Sequence, residues 1–307
     1  VTTTVAIVDI GSNSIRLLIA DKSDDGEITE LDRQANVTRL GEGVDTSGKL
    51  ADEAMERTYA VLADYAERIK QHHCDTKIAV LTSAVRDSAN GQEFAHTIEK
   101  RYGLTPHVLK GDEEARLTYL GATSERDPAD TTPNLVLDIG GGSTEMIIGA
   151  GPEVRFRVST QAGVVRQTER HLPDDPPTRE QMDALAEDVT TILRDNVPEE
   201  LRTAVKRGIA VAGTATSLAA IAQHLEPYDP DKVHGYQLST DECDRILGEL
   251  SVMTLAQRRE VPGLHPDRAP TIVAGVLIFK EVVHLFGLTT IEVSEHDILR
   301  GAALGLA

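Results

Sequence analysis

The chain has 307 residues, more than one hydrophobic core usually supports, so two domains of about 100–200 residues are expected. Its 31 basic and 50 acidic residues give a formal charge of −19, which excludes bulk attraction to nucleic acid or to an anionic membrane. Cys74 and Cys243 suit neither a disulfide framework nor a thiolate metal site, and no signal peptide or membrane-spanning apolar run is read, so a cytoplasmic protein is expected.

In chain order, residues 5–10 and 15–20 read as two apolar strands around a Ser12-Asn13-Ser14 turn, with Asp9 near the end of the first. Residues 21–26 form a polar turn and 28–37 a third strand. GVDTSGKL at 43–50 approaches the Walker A pattern but has Leu50 where a hydroxyl would reach magnesium, so it reads as a loop before a helix. In that helix, residues 51–71, Met55, Tyr59, Leu62, Tyr65, Ala66 and Ile69 recur at three and four. His72, His73 and Cys74 end it. Successive helical positions diverge by about 100°, so the trio reads as a frayed terminus and not a metal site.

Residues 78–81 form a buried strand that delivers TSAVRDSAN, residues 82–90, as a loop. Read locally, Arg86 in that loop is a solvated arginine, although its fork can grip phosphate oxygens. A short strand ends at Val108 and Leu109. The helix of residues 111–121 follows with Asp112, Glu113 and Glu114 in its first turn, where acidic groups complement the helix dipole. Residues 124–133, SERDPADTTP, read as a crossing between domains.

NLVLDIGGGSTEMIIG at 134–149 is an apolar strand, Asp138, three glycines and a second apolar strand. Gly140, Gly141 and Gly142 let backbone N–H groups approach a ligand closely, and Ser143 and Thr144 add hydroxyls, which is chemistry for holding phosphate. The glycines join two strands and open no helix, which excludes the Rossmann fingerprint. Asp138 and Glu145 suit a magnesium ion; read blandly, they are a turn aspartate and an edge glutamate. Residues 154–159 form a strand with Arg155 and Arg157 on one face, either solvent-facing or a track for an anionic chain. Residues 161–171 and 178–196 read as helices. The strand 209–211 leads to Gly213, Thr214 and Thr216, a third place for an anion. His234 reads as structural, 271–286 as an apolar helix too polar for a membrane span, and 290–293 as a strand.

The glycine hairpin occurs twice. Asp9 and Asp138, Gly11 and Gly140, Ser14 and Ser143, and Ile19 and Ile148 all stand 129 residues apart, which points to a duplicated domain. With DIGSNSIRLLIA, TSAVRDSAN, GDEEARLTYLG and DIGGGSTEMIIG in that order, the sequence resembles the exopolyphosphatase and guanosine pentaphosphate phosphohydrolase family. That family sits in the acetate kinase, actin and sugar kinase superfamily of ribonuclease H-like folds. The resemblance implies an α/β fold of two such domains about an interdomain cleft, 1–124 plus 295–307 and 125–294, the final helix returning to the first domain as in homologues. It departs at Pro270, where the family commonly carries an acidic residue, and at Arg300-Gly301, where an intervening Glu is absent.

The implied reaction is Mg²⁺-assisted hydrolysis of the terminal phosphoanhydride of inorganic polyphosphate, with guanosine pentaphosphate (pppGpp) as the alternative substrate and a homodimer expected. Glu114 is by resemblance the base that orients and deprotonates water. The expected phosphate ligands are Ser12, Asn13, Ser14, Arg86, Gly140, Gly141, Gly142, Ser143 and Thr144. The expected metal ligands are Asp9, Asp138 and Glu145, for Mg²⁺ or Mn²⁺ with K⁺ as a monovalent companion. Two readings from other classes share the hairpins: an ATP-dependent sugar or acid kinase, and a non-enzymatic sensor of polyphosphate or alarmone.

Overall fold

The computed structural model describes residues 2–307. The chain divides into two compact units, Val1–Ser124 with His296–Ala307, and Glu125–Glu295.

In the first unit, β1 (Thr2–Ile10), β2 (Ser14–Ser23) and β3 (Ile28–Val37) form an antiparallel meander, and β4 (Thr76–Leu81) and β5 (Thr105–Val108) join parallel to β1. The sheet order is β3-β2-β1-β4-β5. β1 reads as a continuous apolar run because both of its faces are covered. Ala6, Val8 and Ile10 pack with Leu62 and Tyr65 of the helix Asp52–Gln71 and Phe94 of the helix Gly91–Tyr102. Val5 and Ile7 pack with Leu117 of the helix Gly111–Ala122 and with Ile298 and Ala302 of the helix Ile298–Gly305. Period-two alternation therefore places Asp9 on the face of these last two helices.

Those two helices touch through backbone. A Cβ on Gly301 would stand 1.8 Å from the Leu117 carbonyl oxygen, and one on Gly121 would stand 1.9 Å from that of Asp297. Three local expectations need correction. β2 continues to Ser23, because residues 21–23 stay paired with 2–4 and Thr4 Oγ1 donates to Asp21 at 2.7 Å. Residues 82–90 contain a helical turn, Ser83–Arg86. The helix Gly91–Tyr102, with Phe94, Ala95 and Ile98 buried, has no counterpart in the sequence reading.

In the second unit, β6 (Asn134–Ile139), β7 (Thr144–Ala150), β8 (Glu153–Thr160), β9 (Arg207–Val211), β10 (Gln237–Ser239) and β11 (Thr290–Val293) form a sheet of order β10-β11-β9-β6-β7-β8. From the other edge, β8-β7-β6-β9-β11 repeats β3-β2-β1-β4-β5, and β10 adds an antiparallel edge strand. Both units are thus ribonuclease H-like sheets, and the duplication seen in the hairpins extends to the topology. The helix expected from residue 161 begins at Val164. The helix Thr240–Ser251, closed by a Ser239/Glu242 capping box, was not expected. Among the described residues, no helix is long and apolar enough to cross a membrane.

Candidate active site

In the first unit, the turn between β1 and β2 is closed by Gly11 N–H donating to the Ser14 carbonyl at 3.0 Å. The carbonyls of Ser12 and Asn13 are tied to the segment after β3. Gly41 N–H donates to Ser12 O at 2.7 Å, and the N–H groups of Thr38 and Arg39 donate to Asn13 O at 3.1 and 2.9 Å. Gly41 must be glycine, since a Cβ there would meet Ser12 Cβ at 2.7 Å. Ser12 is buried and its hydroxyl is hydrogen-bonded to that of Ser83 at 2.9 Å, so it fastens the turn to the segment after β4. Asn13 Oδ1 is buried with no protein partner among the described residues. Ser14 opens β2, opposite Val37.

Asp9 lies directly across the ladder from Arg16, whose Nε and Nη2 both donate to Asp9 Oδ2, at 3.0 and 2.5 Å. Arg16 Nη1 also pairs with Asp297, the buried N-cap of the C-terminal helix. Burial pushes the Asp9 carboxyl above its ordinary value; the charge and hydrogen bonds of Arg16 oppose that, and Asp297 adds to it. Asp9 Oδ1 has no hydrogen-bond partner among the described residues. As a metal ligand, Asp9 therefore has one oxygen to offer and not two.

Glu114 occupies the first turn of Gly111–Ala122, 6% exposed, where its N–H donates to the Lys110 carbonyl at 2.9 Å. Its Oε2 accepts from Arg86 Nη1 at 2.9 Å. The same Nη1 reaches the Leu109 carbonyl at 3.2 Å, and Nε donates to Asp87 at 3.2 Å. Nη2 has no partner among the described residues. Burial alone would lower the Arg86 pKa, but Glu114 and Asp87 hold it above its ordinary value. The solvated-loop reading of Arg86 thus fails: the guanidinium is held by Glu114, Asp87 and the Leu109 carbonyl through Nε and Nη1.

In the second unit, the β6–β7 turn repeats the closure at the same offset, Gly140 N–H to Ser143 O at 2.9 Å. Here the three glycine carbonyls are tied to the start of the helix Val164–His171: Gly140 O accepts from Val164 N–H at 2.9 Å and Gly141 O from Val165 N–H at 2.8 Å. Gly142 O accepts from Arg166 Nε at 2.7 Å. In a trans peptide the following N–H points opposite to the carbonyl, so the N–H groups of Gly141, Gly142 and Ser143 all point away from that helix. None of the three has an acceptor among the described residues. Successive N–H groups of this kind form an anion-binding concavity. Gly163 makes it possible, because a Cβ there would stand 2.3 Å from Gly141 O.

Thr144 needs correction as a phosphate ligand. It is fully buried and its hydroxyl donates to the Ala162 carbonyl at 2.6 Å, which secures the end of β8. Asp138 and Glu145 are both buried and face each other across the β6–β7 ladder, with Glu145 accepting from Ser159 Oγ at 2.6 Å. Arg155 and Arg157 are exposed on β8. Gly213 lies in the first turn of the helix Ala212–Ala222, its carbonyl accepting from Arg268 Nη1 at 2.8 Å. Ala212 before it adopts a left-handed φ of 61°, uncommon for a residue with a Cβ. Thr214 is tied to the Ile139 carbonyl at 2.9 Å.

The profile of the Ppx/GppA phosphatase family matches residues 18–305. The chain belongs to that family. As a Ppx/GppA phosphatase it is a hydrolase of phosphoanhydride bonds. It is 38% identical over 326 residues to "Exopolyphosphatase 2" of Mycobacterium tuberculosis, covering 99% of each chain. A solved exopolyphosphatase-like protein superposes with a TM-score of 0.93 at 36% identity, covering 100% of this chain and 98% of the other. The Aquifex aeolicus Ppx/GppA family member does so with a TM-score of 0.82 at 30% identity, covering 100% and 98%.

In this Ppx/GppA phosphatase the two copies of the hairpin differ at one telling place. The residue opposite the strand-end aspartate is Arg16 in the first copy and Glu145 in the second. The first aspartate is paired with that arginine. The second has Glu145 opposite it at a cross-strand distance of roughly 5 Å, in a buried setting, and the two carboxylates are a donor set of hard oxygens suited to a divalent cation. The residues of β6 and β7 therefore fit such an ion. Sequence reasoning missed Arg16, Gly41, Gly163, Arg166 and Asp297; only Arg16 had an available signal, its place in the repeat.

Proposed function

We propose that this Ppx/GppA phosphatase is an exopolyphosphatase that removes the terminal phosphate of inorganic polyphosphate as orthophosphate. The observation that carries this reading is the Arg86–Glu114 pair: a buried carboxylate held by a guanidinium that keeps a nitrogen for a phosphate oxygen. Glu114 takes a proton from a water molecule, the water oxygen attacks the terminal phosphorus, and the bridging P–O bond breaks to leave orthophosphate and a shortened chain. Phosphoryl transfer needs positioning and charge neutralisation more than covalent help from protein. The N–H groups of Gly141, Gly142 and Ser143 bind phosphoryl oxygens, as do Asn13 and Ser14 in the other copy.

Asp138 and Glu145 would hold Mg²⁺ or Mn²⁺, which would neutralise phosphoryl charge; in the first unit Asp9 Oδ1 is the oxygen left for such an ion. The naming of end-to-end relatives as exopolyphosphatases supports polyphosphate over pppGpp. Both cysteines are free and buried, which suits a reducing cytoplasm.

Incubation with polyphosphate, pppGpp and ATP in separate reactions with Mg²⁺ tests the reading. Orthophosphate and progressively shortened polyphosphate are expected, at a higher kcat/KM than for either nucleotide. Phosphate transfer from ATP to an acceptor with polyphosphate left intact would support a kinase instead.

A further inference from the structure

The two glycine turns are held by different chemistry. In the first unit every tie onto the turn's carbonyls is a neutral backbone N–H, from Thr38, Arg39 and Gly41. In the second, two ties come from the first N–H groups of the helix Val164–His171 and the third from the guanidinium of Arg166, half-buried beside the turn. Each tied carbonyl belongs to a peptide whose N–H points the opposite way, and hydrogen-bonded groups in series polarise one another. A cationic donor on the carbonyl side makes the N–H on the far side a stronger donor, most of all across the Gly142–Ser143 peptide.

We propose that Arg166 is a positioning residue that relays positive charge through the Gly142–Ser143 peptide, so that the second turn, and not the first, takes the more highly charged phosphoryl group. Arg166 is set apart from Arg86 by this route: its Nε serves the protein backbone, whereas Arg86 keeps Nη2 for an external oxygen. The helix dipole acts in the same direction through Val164 and Val165, so substitution of Arg166 weakens the cradle without abolishing it. Gly163 sets the approach distance. The inference rests on the assignment of the β6–β7 turn as a phosphate cradle.

Inorganic phosphate is the probe, titrated into the full chain while the backbone amide resonances of Gly11–Ser14 and Gly140–Ser143 are followed. In the wild type, Gly141, Gly142 and Ser143 are expected to shift at lower phosphate concentration than Asn13. Arg166→Met is expected to weaken phosphate binding at the second turn about tenfold, the order of one charge-assisted hydrogen bond, with Ser143 losing the largest share of its shift. The first turn should respond as in the wild type. Arg166→Lys, which keeps the charge and an N–H donor, is expected to recover most of that loss and to serve if the methionine variant folds poorly. In turnover the loss should fall on KM and kcat/KM with kcat nearly kept. Phosphate shifts at Ser143 unchanged in Arg166→Met, or equal losses in the lysine and methionine variants, overturn the relay while leaving the cradle in place. Wild-type loop amides that ignore phosphate altogether overturn both the relay and the assignment beneath it.

Discussion

Arg86 is the residue on which the proposed chemistry of the first unit turns, because it meets the proposed base Glu114, the neighbouring Asp87 and a backbone carbonyl at once. Replacing it with glutamine leaves Glu114 buried without its cation and removes the nitrogen proposed to bind phosphate. The expected loss is about 10²–10³ in kcat/KM, measured by phosphate release, with Arg86→Lys intermediate because ammonium lacks the fork. Asp9 gives a pH prediction. Its folded pKa is raised above the ordinary 3.8, so it adds stability below that value that is lost as pH rises through the raised one. Urea midpoints of the wild type should therefore fall, as pH rises above 3.8, by more than those of Asp9→Asn. Identical pH dependence in the two proteins would remove Asp9 as the source. Arg16 was legible in the sequence, since it stands one repeat away from Glu145, but its meaning was not. Asp297, its second partner, carries no local signal because the contact joins residues at opposite ends of the chain.

At the scale of elements, close approach of backbone decides where the functional groups sit. Gly163 against the β6–β7 turn and Gly301 against Leu117 each leave no room for a methyl group. Gly301→Ala must push the C-terminal helix off the helix that carries Glu114, at a cost of about 1–3 kcal/mol by thermal or urea denaturation, with activity falling as well. A variant as stable and active as the wild type would contradict that packing. The hairpins, their aspartates and most strands were readable because apolar runs and glycines mark them locally. The ties onto the turns were not. Thr38, Gly41, Gly163 and Arg166 follow the third strand of each copy, and β8 is shorter than β3, so they fall out of the common offset and no repeat comparison finds them. Thr144 is illegible for the same reason: its hydroxyl neighbours the glycines in sequence but donates to the Ala162 carbonyl just after β8.

For the whole molecule, the net charge of −19 opposes the approach of a polyanion. Binding must then depend on local donors, and screening should help. Raising ionic strength from about 0.01 to 0.15 M shortens the Debye length from roughly 30 to 8 Å, so KM for polyphosphate at fixed Mg²⁺ should fall over that range. A rising KM would point to long-range attraction that the composition does not supply. Activation of water by Glu114 is the step on which the proposed hydrolysis depends. It is tested most directly by Mg²⁺-supported phosphate release from polyphosphate in the wild type and Glu114→Gln, with polyphosphate binding measured in parallel. A fall in kcat of about 10²–10⁴ with binding largely retained is predicted; equal turnover by the two proteins would contradict it.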